Sequence, residues 1–188
     1  MLSTNLNTQN NIAKKKKSNK LFLFELILCT VFGTLMFCSK QIMAFLPNIH
    51  LIGMFVILVT VTFRVKALVS IYVFVFLEGL LGGFSLWWMP YLYVWTVLWA
   101  LAMLIPKKAP HWLKAAIYPT LCGLHGLAFG IIYAPMQAIL FGLDFNGMIA
   151  WIIAGFPFDI IHGISNFLVG LFILPLSLIL SKMLAKIK

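Results

Sequence analysis

Phe156-Pro-Phe-Asp-Ile-Ile-His-Gly-Ile-Ser-Asn166 places an acid, an imidazole and an amide inside sequence that otherwise reads as lipid-soluble. In a helix, Asp159, His162 and Asn166 fall at i, i+3 and i+7, so one face carries all three. A carboxylate at the bilayer centre costs about 2.5 to 3.5 kcal/mol even on lenient insertion scales, so such a face is expected to turn toward a pocket or pathway. The chemistry open to these residues is ligand binding, proton relay or hydrolysis.

Other polar groups stand alone. Glu78, in Glu78-Gly-Leu-Leu-Gly-Gly83, can act as a ligand, as an ion site or as a protonated acid bonded to a neighbouring helix. Glu25 sits where snorkelling or pairing with Lys20 explains it. His125 either faces the same cavity as His162 or serves as a hydrogen-bonded structural histidine. Trp87, Trp88, Tyr91, Tyr93 and Trp95 form a dense aromatic cluster, read as an interfacial belt with one or two rings free to stack on a flat ligand. A polar segment, Lys40-Gln-Ile-Met-Ala-Phe-Leu-Pro-Asn-Ile-His50, including Asn48, reads as a loop able to close over a ligand.

The elements that position these groups follow from composition. The chain of 188 residues is 63% hydrophobic and 10% charged, with a mean hydropathy of +1.05, where a soluble domain is about half apolar and a quarter charged. The fold class is therefore an all-α integral membrane protein. Apolar windows give six transmembrane helices near 21–39, 48–63, 67–86, 89–105, 113–134 and 158–182. Residues 1–20, Asn- and Lys-rich with almost nothing to bury, read as a disordered basic tail, and residues 21–188 as a single six-helix domain.

The lysines test the count. With both termini in the cytoplasm, five of the 14 basic residues lie in the tail, two are Arg64 and Lys66, three are Lys107, Lys108 and Lys114, and three are Lys182, Lys186 and Lys188. Lys40 alone is left outside. This explains the net charge of +10 as a topology signal rather than a nucleic-acid footprint. Arg64-Val-Lys66 makes a tight hairpin between spans two and three. The apolar segment 136–157 is too short to cross twice, so either both flanking helices protrude, with breaks at Pro135 and Pro157, or it forms an interfacial cap.

Small residues mark close helix contacts: Gly79 with Gly83, Gly126 with Gly130 and Ala134, and Cys29 with Gly33. Three cysteines without a C-x-x-C support neither a disulfide framework nor a zinc site. No phosphate-binding loop, G-x-S-x-G or H-E-x-x-H is present, so neither ATP hydrolysis nor these kinds of hydrolytic catalysis is expected of the chain, and no metal or cofactor.

Six spans, a short hairpin between spans two and three, a first outer loop able to close, and a last helix reading Pro157-Phe-Asp-Ile-Ile-His-Gly-Ile-Ser-Asn166 resemble the substrate-binding S components of energy-coupling-factor (ECF) vitamin transporters. The resemblance covers roughly residues 21–184. It implies a non-enzymatic, multi-pass protein of a prokaryotic plasma membrane that captures a vitamin-like small molecule. It further implies docking onto a transmembrane coupling subunit driven by two ATPase subunits. Carried onto this sequence, Asp159, His162 and Asn166 would lie in or behind the pocket, with Trp88, Tyr91, Trp95, His125, Tyr133, Gln137 and the loop residue Asn48 lining it, and Cys29 and Gly33 would form the docking contact. Two alternatives stay open: an intramembrane peptidase of the CAAX-processing type, suggested by F-x-x-x-H and H-x-x-x-N around His162, and a membrane protein whose polar row only locks helices together.

Overall fold

A computed structural model describes the backbone of residues 2–186 and the side chains of residues 19–186. The chain folds into α1 (Leu2–Ile42), α2 (Ile52–Phe63), α3 (Ala67–Gly82), α4 (Tyr91–Met103), α5 (His111–Leu127), α6 (Phe129–Phe141), α7 (Phe145–Gly170) and α8 (Ile173–Ala185), with no strand among the described residues. Five apolar helical runs are long enough to cross a bilayer, Asn19–Ile42, Ile52–Gly82, Leu86–Met103, His111–Phe141 and Phe145–Gly170, while Ile173–Ala185 is shorter.

The second run crosses twice. His50, just before its start, and Gly82, at its end, line one cavity, whereas a straight helix of 31 residues would hold its two ends about 46 Å apart. The reversal occurs at Arg64, whose backbone adopts φ 58° and ψ −121°. The fifth and shortest runs together make one descent: Gly170 packs on Pro119 near the middle of α5, and Leu184 reaches the cluster of Cys29, Val59 and Phe63. The chain therefore traverses the bundle six times, and its first and last described spans meet at one end.

α1 and α3 lie side by side and point the same way, riveted at both ends. Glu25 pairs with Lys66, and Lys40 pairs with Glu78. Between the pairs, Gly33 lets the helices touch, because a Cβ there would sit 2.5 Å from the Ser70 carbonyl oxygen. Glu25 thus has a partner in the turn just before α3, Lys66, which sequence spacing along α1 does not reveal.

Three boundaries differ from the sequence-based expectation. α1 begins at Leu2, within the segment read as a basic tail; no Gly or Pro interrupts the sequence from 2 to 32, and an established helix extends at little cost. The ascending fifth span breaks at Ala128 (φ −89°, ψ 3°), not at Pro135, which α6 accommodates. α7 begins thirteen residues before the expected start of the last span. Gly142 closes α6 in the left-handed conformation (φ 64°), and the Asp144 carboxylate caps α7 by accepting from Gly147 N at 2.7 Å. Segment 136–157 is therefore two protruding helix ends joined by a tight turn, and Pro157 lies within α7.

Candidate functional site

At the end of the bundle opposite Glu25 and Lys66, a cavity of about 390 Å³ opens beneath the loop 43–51. Its size falls within the roughly 300–1,000 Å³ range of small-molecule pockets. α1 contributes Lys40 and Gln41, the loop contributes Asn48 and His50, α3 contributes Glu78, and Tyr91, Phe129 and His162 complete the wall.

Charge is built into one side. Glu78, 3% exposed, receives the Lys40 ammonium on one oxygen and Gln41 Nε2 on the other at 3.0 Å. The Lys40 ammonium also lies 5.1 Å from the centre of the Tyr91 ring, within cation–π range. Buried carboxylates are stable only when so compensated.

Rings form the other side and the floor. His50 meets His162 edge to face at 4.6 Å and Trp95 at 5.9 Å, and Phe129 meets His162 at 4.9 Å. His50 Nδ1 accepts from Ile52 N at 3.4 Å, which requires a neutral, Nε2-protonated ring. Burial first, then the charges of His162, Lys40 and His125 beside it, hold the His50 pKa well below its ordinary value. His162 Nε2, Trp95 Nε1 and His125 Nδ1 have no hydrogen-bond partner within the protein. His162 thus lines the cavity, while its Nε2 is buried without a partner in the protein.

The loop is held in place rather than draped. Its turns run through Ala44 N to Gln41 O, Leu46 N to Met43 O and Ile49 N to Leu46 O. Asn48 takes the left-handed conformation (φ 60°), which asparagine tolerates, and its carbonyl accepts Ser165 Oγ of α7 at 3.2 Å.

The polar row of α7 divides. Only His162 reaches the cavity. Asp159 turns toward α6, where both carboxylate oxygens accept from Gly130 N at 3.2 Å. The break at Ala128 leaves the first amides of α6 without helical acceptors, and Asp159 supplies one. Asn166, fully buried, packs between Gly53, Gly126 and Cys122 with neither amide atom bonded to protein. The Gly126 and Gly130 pair therefore receives this row: Cβ atoms there would meet Asn166 at 2.8 Å and Asp159 at 2.3 Å.

Several expected lining residues lie elsewhere. Trp88 Nε1 donates to Val75 O at 2.7 Å, and Tyr133 Oη donates to Trp87 O at 2.7 Å while its ring stacks on Phe129 and Trp151. His125 bonds Val94 O at 3.1 Å beneath Trp95, and Gln137 stands outside the lining. Tyr91, Asn48 and His162 do line it, whereas Trp95, fully buried, stands behind His50 outside the lining. Cys29, fully buried against Val59, Phe63 and Ala67, and Gly33, pressed on α3, are consumed by internal packing, so the expected docking pair faces inward. Lys40, Gln41, His50 and Glu78 are the lining residues that spacing did not assign to one site. Complementary charge was the available signal, since Glu78 is the lone carboxylate of its span and Lys40 the lone cation away from the basic segments.

Among the described residues no group of three His, Cys, Asp or Glu side chains is arranged to hold a metal ion. The arrangement suits a compact ligand that stacks on rings, bonds an imidazole of the wall, and is covered by a loop. In comparisons with protein-family models, curated proteins and solved structures, nothing matches this chain.

Proposed function

We propose that the protein is a membrane-embedded binding subunit for uptake of a vitamin-like micronutrient, working with a separate ATP-driven coupling module in the manner of an ECF S component. The observation that carries this reading is the 390 Å³ cavity beneath a tethered loop, walled by an ion pair on one side and by the rings of His50, Tyr91, Phe129 and His162 on the other. In this reading the basic end faces the cytoplasm and the cavity faces outward, as the distribution of cations favours. The ligand is small, planar and at most weakly charged, because the cavity charges already satisfy one another. With Cys29 and Gly33 turned inward, the docking surface for the coupling subunit becomes the opposite face of α1, where Thr30, Thr34 and Cys38 are exposed at helical spacing.

The test is direct binding. The purified chain, in detergent and without ATP, should give a thermal shift with one member of a panel of planar heterocyclic vitamins and their precursors. His162→Ala should weaken that binding by roughly tenfold or more, about 1.4 kcal/mol, whereas Gln137→Ala should leave it unchanged. Failure of every panel member, together with native mass spectra showing no retained small molecule, would refute the proposal.

A further inference from the structure

A second cavity, of about 260 Å³, lies at the opposite, basic end of the bundle, between the foot of α2, the loop after α4, the start of α5 and α8. Its polar wall differs from that of the first. Arg64, Lys107 and Lys114 bring three cations, and Tyr118, Ser177 and Ser181 bring hydroxyls. None of the three cations belongs to either ion pair of the described residues. Two of them are held instead by backbone carbonyls: Arg64 Nη2 donates to Met103 O at 2.6 Å, and Lys114 Nζ to Lys107 O at 2.8 Å.

Two observations mark the cavity as a built site. Arg64 is fixed at φ 58°, a conformation that residues with a Cβ rarely adopt, and Trp99 Nε1 pins it by donating to Arg64 O at 3.2 Å. Tyr118 is only 3% exposed, yet its hydroxyl has no hydrogen-bond partner in the protein. A guanidinium, two ammonium groups and a phenol thus converge on a space without an anion of their own.

We propose that this cavity binds a phosphate group, that of an anionic phospholipid headgroup. Guanidinium and ammonium donors match phosphate oxygens in charge and in hydrogen-bonding capacity, and basic pockets between membrane helices are suited to headgroups. The lipid is favoured over a free phosphate by the apolar part of the wall: Val61, Leu174 and Leu178 lie beside the cations, and Leu178 is 40% exposed, offering a track for an acyl chain.

The full-length protein, purified in detergent, would be exchanged into mixed micelles of phosphatidylglycerol and phosphatidylcholine and read by native mass spectrometry. Phosphatidylglycerol should be retained preferentially, and Lys107→Gln/Lys114→Gln should lower that retention by roughly tenfold or more. Lys182→Gln/Lys186→Gln removes the same charge at the same end but outside the cavity, and should change nothing. Heat stabilisation by millimolar inorganic phosphate, lost in the first double variant and paired with no lipid preference, would keep the phosphate site and assign it to a soluble compound. Equal retention of both lipids without a phosphate effect, or equal losses in the two double variants, overturns the proposal.

Discussion

Lys40→Met should destabilise the protein more than Glu78→Gln, although the two residues form one pair. The Glu78 side chain is 4% exposed and the Lys40 side chain 25%. Lys40→Met leaves a buried carboxylate with Gln41 Nε2, at 3.0 Å, as its remaining donor. Stranding one member of a buried pair costs about 3–5 kcal/mol. Glu78→Gln leaves an ammonium that is partly in water, still faces the Tyr91 ring at 5.1 Å and can bond the new amide, so about 1–2 kcal/mol is lost. Lys40→Met/Glu78→Gln removes both charges and should recover most of the larger loss. Equilibrium unfolding of the purified variants in micelles measures all three against the parent. A reversed order, or a double variant whose loss equals the sum of the singles, would show that the pair is not coupled in the way its geometry implies.

Gly130→Ala should cost about 1–3 kcal/mol in the same assay, because its Cβ would fall 2.3 Å from Asp159 Oδ2 and drive the carboxylate off the α6 amides; Asp159→Asn, which keeps one acceptor oxygen, should cost less. Gly33→Val should part α1 from α3, seen as loss of a cross-link between cysteines placed at 40 and 78, since its Cβ meets Ser70 O at 2.5 Å. Loop docking should depend on pH through His50: its pKa is lowered in the closed loop, so an undocked loop binds protons more readily. Docking is then complete above about pH 6.5 and weakens as pH falls below it. Hydrogen exchange of residues 43–51 at neutral and acidic pH tests the sign, and faster exchange at neutral pH, after correction for intrinsic rates, would contradict it.

The bundle itself was legible in the chain because hydrophobic length and the placement of lysines act locally: six apolar runs, the Arg64 hairpin and the segregation of cations follow from sequence alone. The candidate site was legible only in part. Helical spacing puts Asp159, His162 and Asn166 on one face, but it does not say what stands opposite. Gly126 and Gly130 bring α5 and α6 so close that Asp159 and Asn166 are spent on helix contacts, leaving His162 to reach the cavity. Likewise, Cys29 and Gly33 read equally well as an inner or an outer seam until α3 is laid against them. Glu78 and Lys40 lie 38 residues apart, and their pairing exists only because α1 and α3 run parallel with their ion pairs in register. Sequence determined which segments enter the membrane and which polar groups they must carry there. Tertiary packing decided which of those groups satisfy one another and which are left to meet a ligand, because desolvation makes every buried polar group depend on neighbours far away in the chain.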